Sequence, residues 1–165
     1  MPFVHLHVHT QYSILDGAAN INKLFSKAAE YNQIALAITD HGNMFGVKEF
    51  LETAAKFPNV KPIVGCEVYV AKSSRFDKRG KEDMGSYHLI LLAKNLNGYK
   101  NLVKLSSNAF IEGFYSKPKI DRELLERYKD DLICSSACLG GEVPQAILSG
   151  DIDRAIEVAK WYKTL

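Results

Sequence analysis

The sequence predicts an α/β fold in which parallel strands are covered by helices. Two observations carry this. Short apolar runs at residues 34–39, 62–70 and 88–93 alternate with stretches whose apolar residues recur every three to four positions, which is the pattern of strand–helix–strand units. The runs are also apolar almost throughout, as strands buried on both faces are. Either a doubly wound open sheet or a (β/α) barrel satisfies this order. With 165 residues, 47% of them hydrophobic, the chain is long enough for one domain with a sizeable core.

Each element has its own reason. Residues 3–10 alternate His5, His7 and His9 with Val4, Leu6 and Val8. Side chains alternate across a strand, so this spacing predicts a strand with imidazoles on one face and aliphatic groups on the other. A turn-rich connection containing Asp16-Gly17 leads to a helix over 21–31, with Asn20 as N-cap and Leu24, Phe25, Ala28 and Tyr31 on one stripe. The strand over 34–39 ends in Asp40-His41-Gly42-Asn43, and a second helix covers 45–56. The strand over 62–70 is apolar except for Glu67. A polar loop over 72–86 precedes a strand over 88–93 and a helix over 98–107. Gly113 and Pro118 mark 112–120 as loop. Asp121 caps a short helix to Tyr128, a fifth strand covers 132–135, and two helices follow at 142–148 and from 152 onward. No stop signal precedes Leu165, so the chain reads as the front of something longer.

Composition removes several classes. The formal net charge of +2 does not by itself point to nucleic acid or to a membrane surface. No apolar run approaches the ~18 residues of a bilayer span, and no basic region followed by an apolar stretch marks a signal peptide. Three cysteines, Cys66, Cys134 and Cys138, form no disulfide framework and read as reduced thiols of a cytoplasmic protein, or as ligands.

The polar exceptions to the apolar pattern carry the chemistry. In parallel α/β folds, sites form at the C-terminal ends of strands. His7 and His9 end the first strand, Asp16 lies in the loop leaving it, and Asp40 and His41 end the second. Glu67 is late in the third, Cys134 ends the fifth, and Cys138 follows it in the loop. His88, at the start of its strand, fits this rim least well. Nitrogen, oxygen and sulfur donors together suit Zn²⁺, or Mn²⁺ and Fe where oxygen dominates. A carboxylate such as Glu67 can bridge two ions, and paired ions ~3.5–4 Å apart hydrolyse phosphoesters. His5 sits one pleat deeper and reads as filler of the interior or support for a ligand. Cys66, next to Glu67, faces the other way. The loop holding Lys72, Arg75, Lys78, Arg79 and Lys81 reads either as a phosphate-backbone contact or as a solvated loop.

At His7-Val8-His9-Thr10 and Ala37-Ile38-Thr39-Asp40-His41-Gly42 the sequence resembles the polymerase and histidinol phosphatase (PHP) family. Further stretches resemble the branch of that family found at the N-terminus of bacterial replicative DNA polymerase alpha subunits. They are Tyr12-Ser13-Ile14-Leu15-Asp16-Gly17, Lys61-Pro62-Ile63-Val64-Gly65-Cys66-Glu67, Gly98-Tyr99-Lys100-Asn101-Leu102 and Cys138-Leu139-Gly140-Gly141-Glu142. The resemblance spans essentially the whole chain. It implies a distorted (β/α)7 barrel with up to three divalent ions, Zn²⁺ foremost and Mn²⁺ or Fe as alternatives. Matched motif by motif, the ligands are His7, His9, Asp16, His41, Glu67, His88 and Cys138, with His9, Asp16 and Glu67 as the catalytic group.

The family's last Asp-x-His motif does not occur, so residues 1–165 are expected to be the N-terminal part of such a domain, an incomplete barrel. The expected sets are Glu67 with His88 and Cys138, His7 and His9 with Glu67, and Asp16 with His41. The implied activity is metal-dependent phosphoester hydrolysis of the 3′–5′ exonuclease type. Two alternatives are a metal-stabilised scaffold that docks a separate proofreading subunit, and a small-molecule phosphatase. The implied partners are DNA, the rest of a polymerase alpha subunit and other replicase subunits, with no membrane.

Overall fold

The structure, a computed structural model, describes residues 3–165. Its spine is the strand β2 (Lys61–Ala71), and β1 (Ala35–Ile38) pairs with it in parallel from Ala35↔Lys61 to Ile38↔Val64. The pairing runs on past β1, because the Glu67 N–H donates to the Asp40 carbonyl and the Gly42 N–H to the Glu67 carbonyl. That extension carries His41 to the side of Glu67. Two helices cover β1: α1 (Ile21–Glu30), capped by the Asn20 side chain as its sequence predicts, and α2 (Val47–Ala54). Ile21, Phe25, Leu36, Ile38 and Phe50 close one core between them.

The expectation of an all-parallel sheet is corrected by the next strand. β3 (Ser86–Ala93) lies antiparallel to β2, and β6 (Leu132–Ser135) antiparallel to β3. The reason lies in the connection. A parallel return needs a crossover, usually helical, and residues 72–85 contain only the 3-10 turn Lys81–Met84. The strand order is β4-β5-β2-β3-β6 with β1 on β2, where β4 is Phe114–Tyr115 and β5 is Lys117–Ile120. Among the described residues this sheet is open, and no closed barrel forms. The fold is a mixed α/β fold.

The reversal of β3 moves the rim. Its N-terminal end meets the C-terminal end of β2, with Tyr69 opposite His88 and Glu67 opposite Ile90. Directly opposed residues share a face, so Glu67, Tyr69 and His88 point to one side. The other side (Cys66, Val68, Leu89, Leu91) packs on Leu102 and Leu105 of α3 (Leu96–Ile111) and on Leu124 and Leu125 of α4 (Arg122–Arg127). Each such leucine contributes about 1.5–3 kcal/mol by its burial. The helices α5 (Glu142–Leu148) and α6 (Ile152–Tyr162) follow β6.

Two further expectations change. Residues 3–10 do not form a regular strand: the Val8 N–H is taken by the Thr39 hydroxyl at 2.7 Å, and only the His5 and Val8 carbonyls bond to the backbone of the neighbouring segment. Leu6 is 47% exposed, and His5 is exposed with its ring edge against Phe3, so neither fills an interior. The expected loop at 112–120 contains the hairpin β4–β5, joined by Ser116 alone.

Candidate metal centre

Glu67 is fully buried, and four imidazoles surround its carboxylate. His7 Nε2 contacts Oε2, and His9 Nε2 lies 3.3 Å from the same oxygen. On the other oxygen, Oε1, His41 Nδ1 stands at 3.0 Å and His88 Nδ1 at 2.5 Å. Two groups of three donors therefore share one carboxylate: His7, His9 and Glu67, and His41, Glu67 and His88, each with its ligand atoms within 4.8 Å of one another.

The hydrogen bonds around the cluster fix where the imidazole protons are. The Ser13 hydroxyl has one proton, and it donates that to Asp40 at 2.8 Å. Its oxygen accepts the His41 N–H at 3.1 Å and faces His9 Nδ1 at 3.2 Å. A hydroxyl with its proton committed can only accept, so His9 carries its proton on Nδ1 and turns a bare Nε2 toward Glu67. His41 is held similarly. Its Nε2 lies 3.1 Å from Asp16 Oδ2, whereas its Nδ1 and the Glu67 Oε1 opposite are buried without a hydrogen-bond partner. Nε2–H therefore donates to Asp16, and Nδ1 is a lone pair aimed at an oxygen. Facing lone pairs call for a cation between them. A donor set of imidazole nitrogens and a carboxylate suits a divalent transition metal, so these residues fit one.

The charges agree. Burial alone would raise the Glu67 carboxyl, but the His88 and His9 imidazoles against it, with the charge of His88 and His41, outweigh burial and hold the group well below the usual carboxylate range. Glu67, which would accept from a protonated His9, raises that imidazole above its ordinary value, against a partial lowering by burial.

Asp16 touches His41 alone, from a side chain that is 61% exposed. Cys138 Sγ is 3.6 Å from His88 Nδ1 and lies outside both groups of three. Its loop crosses His88, with the His88 N–H donating to the Gly140 carbonyl, and a Cβ on Gly140 would stand 3.1 Å from the imidazole. Cys134 is a correction: opposite Leu91, it faces the core and not the rim, and burial pushes its thiol up to about 11. Asp40 is spent on the Thr10 N–H and the Thr10 and Ser13 hydroxyls, so it anchors the 10–13 turn instead of facing the cluster.

The basic loop divides. Arg75 is a correction: its side chain is 4% exposed and binds Asp121 through Nη1 at 2.8 Å and Glu112 through Nε at 2.7 Å. It fastens the loop to the start of α4 and is not free for a phosphate. Arg79 pairs with Asp83 at 3.0 Å, while Lys72 and Lys78 are exposed.

A cleft of about 500 Å³ opens over the cluster, lined by Tyr12, Asp16, His41, Tyr69, His88 and Lys117 among others. Sequence reasoning missed Ser13, Tyr69 and Lys117. For Tyr69 a signal existed, since it lies two residues after Glu67 on one strand and so shares its face. Burial, then the charges of Glu67 and Asp16, push its phenol up to about 12, so it stays neutral.

Comparison with known proteins gives a consistent picture. The family model described as "PHP domain" matches residues 5–165. The chain is 52% identical over 163 residues to the DNA polymerase III subunit alpha of Borreliella burgdorferi, covering 98% of this chain and 14% of that protein. With the Thermus aquaticus protein of the same name it is 54% identical over 159 residues, covering 94% of this chain and 13% of the relative. The chain thus spans about 14% of the length of the curated relatives it matches. A solved amidohydrolase structure from Chromobacterium violaceum is a distant likeness, 17% identical with a TM-score of 0.41 over 95% of this chain and 54% of that one.

Proposed function

The chain belongs to the PHP domain family, and from that premise we propose that it is the PHP domain of a bacterial replicative DNA polymerase alpha subunit and carries a metal-dependent phosphoesterase site of the 3′–5′ exonuclease type. One observation supports this above the others: both oxygens of the buried Glu67 are shared between pairs of imidazoles, His7 with His9 and His41 with His88. A lone buried carboxylate would need one partner. Four imidazoles split between its two oxygens would let it serve as a bridging ligand.

In this reading His7, His9, Glu67, His41 and His88 would hold two divalent ions, with Asp16 at the His41 end and Cys138 at the His88 end as further donors, and the complete domain would take up to three. Zn²⁺ suits the mixed nitrogen, oxygen and sulfur set best, with Mn²⁺ or Fe as alternatives. Bound divalent ions supply Lewis-acid activation of water and of a phosphoryl group. The protein's own part is to keep the ligands pre-aligned. Ser13 holds His9 with Nε2 bare, Asp16 holds His41 with Nδ1 bare, and the low-lying Glu67 stays ionised at neutral pH. Its partners in this reading are DNA, the rest of the alpha subunit and other replicase subunits, in the cytoplasm; no helix among the described residues is long and apolar enough to cross a membrane. In the full-length protein, degradation of single-stranded DNA from its 3′ end should need a divalent metal and be lost in His9→Ala and Glu67→Gln. Retention of full activity in both variants overturns the exonuclease reading.

A second reading has an observation of its own. Residues 3–10 make few backbone hydrogen bonds to the sheet, and His7 and His9 tie that segment to Glu67. Metal held there would staple the segment down, as a scaffold that docks a proofreading subunit requires. A chelator that lowers the melting temperature without any nuclease activity to abolish selects the scaffold.

A further inference from the structure

Lys117 is the exposed cation at the edge of the cleft, and the fold holds it there by an unusual route. Its Nζ stands 4.3 Å from the centroid of the Tyr69 ring. That ring is nearly parallel to the His41 imidazole at 6.2 Å and meets His88 edge-on at 5.2 Å. Lys117 is thus one aromatic ring away from the Glu67 cluster. The hairpin that presents it turns on Ser116 alone, in the left-handed region at φ 65°, where a residue with a Cβ is strained. The next residue, Pro118, packs against Gly42, whose φ of 61° and lack of a Cβ let Tyr69 and Pro118 close over it.

Charge gives this placement a purpose. Apart from two phenols that stay neutral, those of Tyr12 and Tyr69, the other ionisable groups around the cleft are the imidazoles of His41 and His88 and the carboxylate of Asp16, which repels an incoming phosphate. Among the described residues Lys117 pairs with no carboxylate, as is true of most of the lysines, but it is the one lysine that lines the cleft. An ammonium held over a ring face and left unpaired is available to an anion.

We propose that Lys117 binds a phosphodiester next to the one at the Glu67 cluster, so that the cleft takes a nucleotide chain in preference to a small phosphate monoester. This deepens the phosphoesterase reading and rests on it for what happens at the cluster. Lys117 is a positioning residue, acting on the backbone and not on the reacting bond.

The test is lysine acylation of the full-length protein with divalent metal, with and without a short phosphorothioate oligothymidylate, which resists turnover. Acylation of Lys117 should fall several-fold with the oligonucleotide, while that of Lys27 on α1 stays constant. With cleavable single-stranded DNA, Lys117→Ala should raise KM about tenfold, with a smaller effect on kcat, and reduce the salt slope of log KM by about 0.7, one phosphate contact. Lys117→Arg should restore both. Unchanged acylation overturns the proposal. Protection of Lys117 in a protein without metal-dependent hydrolysis supports the phosphate site and removes the hydrolytic reading. Hydrolysis with unaltered KM and salt slope in Lys117→Ala removes the phosphate site and leaves the hydrolytic reading standing.

Discussion

The Ser13 hydroxyl gives its proton to Asp40 and faces His9 Nδ1 at 3.2 Å, so it sets the tautomer of that histidine. Ser13→Ala should release the His9 ring and weaken metal binding about 10–100-fold, the usual consequence of losing a partner that orients a ligand. Competition with a chromophoric chelator measures it. Unchanged affinity would mean that packing, and not this hydrogen bond, holds His9.

Arg75 ties the 72–85 loop to the N-terminal end of α4 through Asp121, with both side chains almost fully buried. Arg75→Ala leaves a buried carboxylate without its cation and should cost about 3–5 kcal/mol. A chemical denaturation curve of the full-length protein reads it in the transition that includes this domain. Native stability combined with weakened DNA binding would return Arg75 to the role of a phosphate contact.

Gly42 sits at φ 61°, and a Cβ there would stand 2.7 Å from Tyr69 Cε2 and 3.0 Å from Pro118 Cγ. Gly42→Ala should lose about 1–2 kcal/mol to the left-handed conformation alone. It should also displace the Tyr69 ring, which thermal melting and the near-ultraviolet circular dichroism of the tyrosines will register together. Loss of stability without a near-ultraviolet change would place the cost in the backbone only.

The three thiols should separate by pH. Cys66 is fully buried, and burial foremost pushes its thiol far up; Cys134 is pushed up to about 11. A raised thiol has less thiolate at a given pH, so at pH 8 Cys134 holds roughly a thousandth of its sulfur as thiolate and gains tenfold per unit until about pH 11. Iodoacetamide at pH 8 should therefore label the exposed Cys138 first, and Zn²⁺ should slow that labelling if Cys138 is a ligand. Peptide mass spectrometry reads each site. Equal labelling with and without Zn²⁺ would take Cys138 out of the ligand set.

Much of this architecture is legible in the amino-acid sequence. Apolar runs locate the strands, Asn20 and Asp121 announce two helix starts, and the donors His7, His9, His41, Glu67 and His88 stand out as polar exceptions. Strand direction is harder to read from apolar runs, which look alike in either orientation, although the connection holds a clue. The stretch between β2 and β3 lacks a helical period, and a parallel return without a helix is rare. The reversal also removes the difficulty with His88, whose place at the start of β3 is the rim itself. Arg75 is indistinguishable in sequence from its exposed neighbours, because its partners Glu112 and Asp121 lie 37 and 46 residues away. The regularity expected of residues 3–10 fails for a local reason: the Thr39 hydroxyl takes a backbone donor that a ladder would use.

If Glu67 bridges two metal positions, one beside His7 and His9 and the other beside His41 and His88, anomalous diffraction from crystals of the full-length protein grown with Zn²⁺ shows it most directly. Two peaks are expected to flank the Glu67 carboxylate, one on each oxygen, with the imidazole nitrogens turned to them. A single ion that leaves Glu67 untouched, or a carboxylate still hydrogen-bonded to protonated imidazoles at saturating metal, would contradict it.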